Sequence, residues 1–193
     1  MIAYVFWHQK MELVSSKTYE SALITFHRSL YNFGVKGYIG SQTFKIEGAY
    51  WMGATESGYE DWYLLEDSGV MDKINQAAVS GSVKDPHNAA AHMATNLHAG
   101  LYVIKSPYPS FLSGKSATWF TKPKEMSLDQ IINSHSDSNK RFGDLWMRQM
   151  VLGPTPEYCI VSENRIDLPR NLYPVNVKRQ PISGFIGNFP SSS

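Results

Sequence analysis

Three side chains in this sequence have types and positions suited to acid–base chemistry: His8, Asp61 and Tyr63. His8 ends a predicted strand over residues 2–8, and an imidazole gives or takes a proton near neutral pH. Asp61 and Tyr63 share one face of a predicted strand over residues 59–66, where a carboxylate buried among aromatic rings would have a raised pKa. We take these three residues as catalytic candidates. The alternative is a structural role, with His8 hydrogen-bonded to a neighbouring strand and the carboxylate solvated.

Aromatic residues are abundant enough to form the walls of a binding pocket. The chain of 193 residues contains 5 Trp, 11 Tyr and 9 Phe. Such a surplus either fills the core of a sheet or lines a pocket for a flat or apolar molecule. The side chains that we predict to contact a ligand are one carboxylate and four indoles: Glu60, Trp7, Trp62, Trp119 and Trp146.

The histidines do not form a recognisable metal motif. His87, His92 and His98 are spaced by five and six residues, which places them on no common helix face, so we predict no metal site. His27 and His135 lie on predicted helices and are expected to be exposed.

The single cysteine and the missing cofactor motifs narrow the choice of chemistry further. Cys159 excludes an internal disulfide, fits a reducing compartment, and is expected to behave as a small apolar residue within a strand. The sequence has no nucleophile elbow, P-loop or dinucleotide fingerprint. The sequence therefore does not identify a cofactor.

Charge and hydropathy indicate a small-molecule partner. The net charge is +1 and no basic cluster could neutralise several phosphates, so we do not expect nucleic acid to bind. No apolar run approaches the roughly 20 residues that span a bilayer. The first residues lack the basic region of a signal peptide. We predict a cytoplasmic protein with a small-molecule ligand and no membrane association, able to form a homo-oligomer.

The elements that position the candidate residues follow a regular order within residues 1–105. Hydropathy periods predict strand, helix, strand, strand, helix, a further helix and strand, which is the split βαβ or ferredoxin-like arrangement. Gly34 is expected to end the first long helix in the left-handed conformation. The last helix is expected to begin at Asp85–Pro86 and to run to about His98.

The rest of the chain is predicted to repeat this architecture with its second helix reduced. Residues 106–116 are expected to be a linker, 117–182 a second, reduced ferredoxin-like half, and 183–193 a mobile tail. The sequence from Ser127 to Gln130 forms a capping box that opens a helix. We predict an α+β protein in which two antiparallel sheets bury their bare faces against each other and form one α/β barrel.

This order of elements, with the aromatic and acidic run from Tyr59 to Tyr63, resembles the dimeric α/β-barrel superfamily. Its members include antibiotic-biosynthesis monooxygenase-like, EthD-like, haem-degrading and chlorite-dismutase-like proteins. The resemblance implies a barrel within one chain and a small molecule bound between sheet and helices.

Three functions stay open on this evidence. The first is a monooxygenase-like enzyme acting on a small aromatic or apolar compound. The second is a non-catalytic ligand-binding or stress-associated protein on the same fold. The third, haem handling, follows from the resemblance alone, and His135 would then be the first candidate for a haem ligand. Fold does not decide among them, because function depends on the site.

Overall fold

The computed structural model describes residues 1–106, 112–127, 129–130, 143–149, 153 and 155–187. The elements of the first half, in chain order, are the strands and helices β1 (Ile2–Lys10), α1 (Ser16–Phe33), β2 (Tyr38–Glu47), β3 (Ser57–Leu65), α2 (Val70–Ala78), α3 (Lys84–Ala91) and β4 (Ala94–Ile104). Four further strands follow: β5 (Ser116–Phe120), β6 (Asp144–Arg148), β7 (Tyr158–Ser162) and β8 (Val175–Ile186).

The eight strands close into one antiparallel barrel, which confirms an α+β barrel within a single chain. Going round the barrel, the order is β1-β3-β2-β8-β5-β7-β6-β4, and β4 pairs with β1 again. Strands of the first half therefore stand in the order β4-β1-β3-β2. The two seams to the second half are the β2–β8 and β4–β6 pairs.

Alternation along β1 and β3 divides their side chains between two cores. Trp7 and Trp62 point into the barrel with the other apolar residues of its interior. His8, Asp61 and Tyr63 point the other way, towards the helices of the first half. This division follows from the two-residue period of a strand, since neighbouring side chains lie on opposite faces.

The helix α1 covers this outer face and has clear signals at both ends. The Ser15 hydroxyl accepts a hydrogen bond from the Thr18 amide, at 3.1 Å, and satisfies one free donor of the first turn. Gly34 ends the helix with φ of 73°, as predicted. The inner face of α1 carries five buried residues: Tyr19, Leu23, Phe26, His27 and Leu30.

Two predicted boundaries are wrong. The helix expected to run to His98 ends at Ala91, and β4 already begins at Ala94, so His98 lies on a strand. The alanines at 89–91 favour a helix, whereas pairing of β4 with the full length of β1 determines the conformation from Ala94 onwards.

The expected tail is also too long, because Ser183–Ile186 belongs to β8. The pairs Thr43 with Ser183 and Gly40 with Ile186 lie in the β2–β8 seam, so barrel closure orders these residues. The capping box of the second half is formed: the Ser127 hydroxyl accepts from the Gln130 amide and the Gln130 side chain accepts from the Ser127 amide. Most of the helix predicted after it, including His135, lies outside the described residues.

Candidate functional site

A cavity of about 480 Å³ lies between the outer face of β1 and β3 and the three helices of the first half. Its volume is within the range of small-molecule sites. The wall is mainly apolar and aromatic, with polar side chains on both the sheet side and the helix side. These polar residues include His8, Tyr19, Asp61, Tyr63, Asp72 and His87.

His8 and Asp61 meet on the sheet side of this cavity. His8 Nε2 lies 3.0 Å from Asp61 Oδ2, and both side chains are buried. The two residues are diagonal neighbours across the β1–β3 ladder, in which Phe6 pairs with Asp61 and His8 pairs with Tyr59. A carboxylate only accepts hydrogen bonds, so this contact assigns the His8 proton to Nε2 and leaves Nδ1 as an acceptor.

Tyr19 completes a chain of three polar groups. Its hydroxyl lies 2.6 Å from His8 Nδ1, so in the tautomer just assigned Tyr19 donates to the imidazole. The Tyr59 ring stacks on His8 with an interplanar angle of 7° and holds the imidazole plane. The order Tyr19, His8, Asp61 is that of a hydroxyl, a base and an orienting carboxylate.

A second histidine reaches the same carboxylate from α1. His27 Nε2 lies 3.3 Å from Asp61 Oδ2, at ion-pair distance but without hydrogen-bond alignment. The other ring nitrogen of His27 lies 2.7 Å from the Ser41 hydroxyl. Tyr63 also donates weakly to Asp61 Oδ2, over 3.5 Å. Three side chains thus converge on one carboxylate oxygen.

The charge of Asp61 is stabilised in this setting. Burial by itself would raise the pKa of its carboxyl group, but the positive charges that His27 and His8 carry when protonated outweigh burial and lower that pKa below its usual range. This is the opposite of the raised pKa expected from the sequence. Asp61 therefore acts as a fixed anion that orients His8.

The two phenols of the cluster stay protonated. Burial, and after it the charge of Asp61, raises the pKa of Tyr19 above that of an ordinary tyrosine. The same two causes, in the same order, raise the pKa of Tyr63. Tyr19 can therefore pass a proton between His8 and a molecule in the cavity, but a lasting phenolate is unfavourable.

The predicted ligand-binding residues lie on the other side of the sheet and do not line this cavity, so their contact with a ligand remains a prediction. All of them are in the barrel interior and at most 1% exposed, and none lines the cavity. The indole rings pack against one another, with centroids 5.5 Å apart for Trp7 and Trp119 and 5.2 Å apart for Trp62 and Trp146. The residues concerned are Trp7, Glu60, Trp62, Trp119 and Trp146.

Glu60 forms a buried ion pair in the barrel interior. Arg179 Nε on β8 donates to Glu60 Oε1 over 3.0 Å, and both side chains are inaccessible to solvent. The indole N–H groups of Trp7 and Trp62 donate to the two Glu60 oxygens, over 2.8 and 2.7 Å. Arg179 also lies 3.5 Å from the Phe44 ring centroid. This network links β3 to β8 across the barrel interior.

The remaining candidates for chemistry are the thiol of Cys159 and possible clusters of metal ligands. Cys159 is fully buried in β7, where burial and then the charge of Glu60 raise the pKa of its thiol, which agrees with a structural residue. Among the residues that the structure describes, no group of three or more His, Cys, Asp or Glu side chains could hold a metal ion.

The cavity is a poor fit for haem. An axial imidazole needs a free ring nitrogen, and both nitrogens of His8 are engaged. His87 also lines the cavity from α3, with Nδ1 beside the Asn88 side chain and its ring against Phe26. The described lining includes no lysine or arginine that could pair with the two haem propionates. His135 lies outside the described residues.

Sequence reasoning missed Tyr19 and His27. His27 was expected to be exposed, but it is fully buried beneath α1. The signal was present, because Tyr19, Leu23 and His27 are spaced by four residues and lie on the same helix face. Tyr19 fits the apolar face of α1 by its ring, and helical spacing alone gives no sign that its hydroxyl is engaged.

The fold and this site define a closed eight-stranded α+β barrel whose helix-covered cavity holds a tyrosine–histidine–carboxylate chain. No family model and no curated protein sequence matches this chain. One solved crystal structure, provisionally described as a chlorite dismutase, aligns with a TM-score of 0.47 and 13% sequence identity. The alignment covers 92% of this chain and 78% of that one. No described helix is both long and apolar enough to cross a membrane.

Proposed function

We propose that this protein is an enzyme that binds a small, mainly apolar or aromatic molecule in the helix-covered cavity and removes a proton from it. The observation that carries the proposal is the hydrogen-bonded chain from Tyr19 through His8 to Asp61 on the cavity wall. The apolar remainder of the wall supports binding of a compound with few polar groups.

The proposed proton path uses each group in the state that its surroundings favour. The molecule gives its proton to the Tyr19 oxygen while the Tyr19 proton passes to His8 Nδ1. Asp61 then faces a protonated imidazole across 3.0 Å and stabilises it electrostatically. Tyr19 carries a proton before and after the transfer, in keeping with its raised pKa.

A monooxygenase-type reaction is the more specific form of this proposal. Removal of a proton from an activated CH₂ group prepares the carbon for reaction with dioxygen, and conversion of CH₂ to a carbonyl consumes one O₂ and releases one water.

We also infer that each half of the chain is a ferredoxin-like unit. The strand orders β4-β1-β3-β2 and β6-β7-β5-β8 support this inference.

Proton transfer can be tested without knowing the natural substrate. The probe is 2-tetralone, a flat, mainly apolar ketone with an acidic CH₂ group, and proton NMR measures deuterium incorporation from D₂O. We expect the wild type to accelerate exchange and Tyr19→Phe to reduce the acceleration by about 100-fold or more. Tyr59→Phe is the matched control, since its hydroxyl contacts Glu20 and not His8.

The same experiment separates the alternatives. Probe binding without accelerated exchange in the wild type would favour the non-catalytic binding protein and contradict the proposal. Oxygen uptake that accompanies exchange would assign the monooxygenase form, whereas exchange without uptake would assign proton transfer alone. His8→Gln is expected to abolish exchange and retain binding, because it removes the base and preserves a polar group of similar size.

Haem handling and self-association are tested separately. Because the described cavity residues fit haem poorly, we expect no Soret band shift when haem is added to the purified protein. A homo-oligomer remains a prediction, and light scattering of the eluting protein measures its mass directly.

A further inference from the structure

One oxygen of the buried carboxylate in the cavity wall has no donor. Asp61 is 2% exposed, and its Oδ1 accepts no hydrogen bond from any residue that the structure describes. His8 and Tyr63 both donate to the other oxygen. A buried carboxylate oxygen without a donor is unfavourable, because it has lost its water and gained no partner.

The charges around the cavity restrict what could supply that donor. Asp61 and Asp72 are the only fixed charges among the described lining residues, which include no lysine or arginine. A carboxylate or phosphate ligand would therefore meet like charge and no counter-charge. A cationic ligand would have to give up its hydration against a mainly apolar wall, whereas a neutral hydroxyl group supplies the same donor at a lower desolvation cost.

We propose that the ligand is an uncharged molecule with an apolar body and a hydroxyl group that donates a hydrogen bond to Asp61 Oδ1. The aromatic part of the wall suits such a body: Tyr4, Phe6, Phe26 and Tyr63 line the same cavity. This inference rests on the proposed function, since it names the class of molecule that binds at the same site. A phenol or an enol fits the description.

The test compares three molecules that share one body and differ at one substituent. The probes are 2-naphthol, 2-methoxynaphthalene and 2-naphthoate, with binding measured by titration calorimetry at neutral pH. We expect naphthol to bind at least about tenfold more tightly than the ether, which cannot donate, and the carboxylate to bind most weakly. A 2-naphthylmethylammonium probe covers the cationic case and is expected to bind more weakly than naphthol.

The Asp61→Asn variant tests whether Oδ1 is the acceptor. His8 keeps the amide oxygen on its own side, so the amide N–H₂ replaces Oδ1 and cannot accept the naphthol proton. The preference for naphthol over the ether should fall below about threefold. Asp72→Asn is the matched control, because this exposed carboxylate also lines the cavity and should leave the preference unchanged.

A cavity-filling variant separates failure of this inference from failure of the proposed function. Ala94→Phe fills part of the cavity, whereas Thr95→Phe adds the same ring at an exposed neighbouring position. If naphthol and its ether bind equally well, the hydroxyl proposal is overturned. If, in addition, Ala94→Phe abolishes the binding of both probes and Thr95→Phe does not, the proposal that ligands bind in this cavity still stands. Tightest binding by the naphthoate or ammonium probe also overturns it. Binding that Ala94→Phe does not weaken, or no binding by any probe, overturns the proposed function itself.

Discussion

Removal of either partner of the Glu60–Arg179 pair should destabilise the barrel far more than removal of an exposed ion pair. The two side chains are fully buried and join β3 of the first half to β8 of the second. Arg179 Nη1 also donates to the carbonyl groups of Leu112 and Gly114, over 3.4 and 3.0 Å. The variants are Glu60→Gln, Arg179→Met and the double replacement.

The expected magnitude follows from what each variant leaves behind. Glu60→Gln leaves a buried guanidinium without its counter-charge and turns an amide N–H₂ towards one of the indole donors of Trp7 and Trp62. Arg179→Met leaves a buried carboxylate held by those indoles alone. Breaking a buried pair in this way costs about 3–5 kcal/mol. The double variant leaves no unpaired charge, so its cost should be less than the sum of the single costs by about 2–3 kcal/mol.

Urea unfolding at neutral pH measures these differences through the fluorescence of the tryptophans, all of which are buried. The free energy of unfolding falls by about 2 kcal/mol per molar urea for a chain of this size, so each single variant should lower the urea concentration at the unfolding midpoint by roughly 1.5–2.5 M. Arg165→Ala is the control, since its pair with Asp167 is 68% and 83% exposed and should contribute no more than about 0.5 kcal/mol. Single effects below about 1 kcal/mol, or strictly additive effects, would refute the electrostatic argument.

Two further predictions concern acid stability and barrel closure. Because the folded state lowers the pKa of Asp61, its charge contributes stability that is present above the unfolded pKa and is lost as pH falls through the folded one. The difference in unfolding free energy between wild type and Asp61→Asn should therefore shrink from about pH 5 to about pH 2, and a constant difference would contradict this. In the β2–β8 seam, Gly40 has φ of 149° and an added Cβ would overlap the Phe185 carbonyl oxygen, so Gly40→Ala should cost more than about 3 kcal/mol. Gly34→Ala, at φ of 73° with open space, should cost only about 1–2 kcal/mol in thermal or urea unfolding, and equal costs would refute the seam argument.

Local periodicity was sufficient to predict most of the barrel. The two-residue period of β3 placed Asp61 and Tyr63 on one face, and the order of strands and helices predicted for residues 1–105 is the order in the structure. The helix end at Gly34 and the capping box at Ser127–Gln130 depend on neighbouring residues only, so sequence reasoning could recover both.

Features that depend on pairing over long distances were not predictable in the same way. The start of β4 at Ala94 and the extension of β8 to Ile186 are fixed by partner strands far away in the sequence. The lowered pKa of Asp61 depends on His27, which α1 brings to the carboxylate from 34 positions earlier in the chain. The indoles were assigned to a pocket because an aromatic surplus does not reveal which side of a closed sheet it occupies.

The two faces of the β1–β3 ladder depend on each other. Trp7 pairs directly with Glu60 in the register and donates to it over 2.8 Å inside the barrel. The same register makes His8 and Asp61 diagonal neighbours on the outer face, 3.0 Å apart through their side chains. A slip by one residue would turn both pairs to the wrong face. The packed indoles and the ion pair of the interior therefore hold the register that brings the proposed base and its carboxylate together.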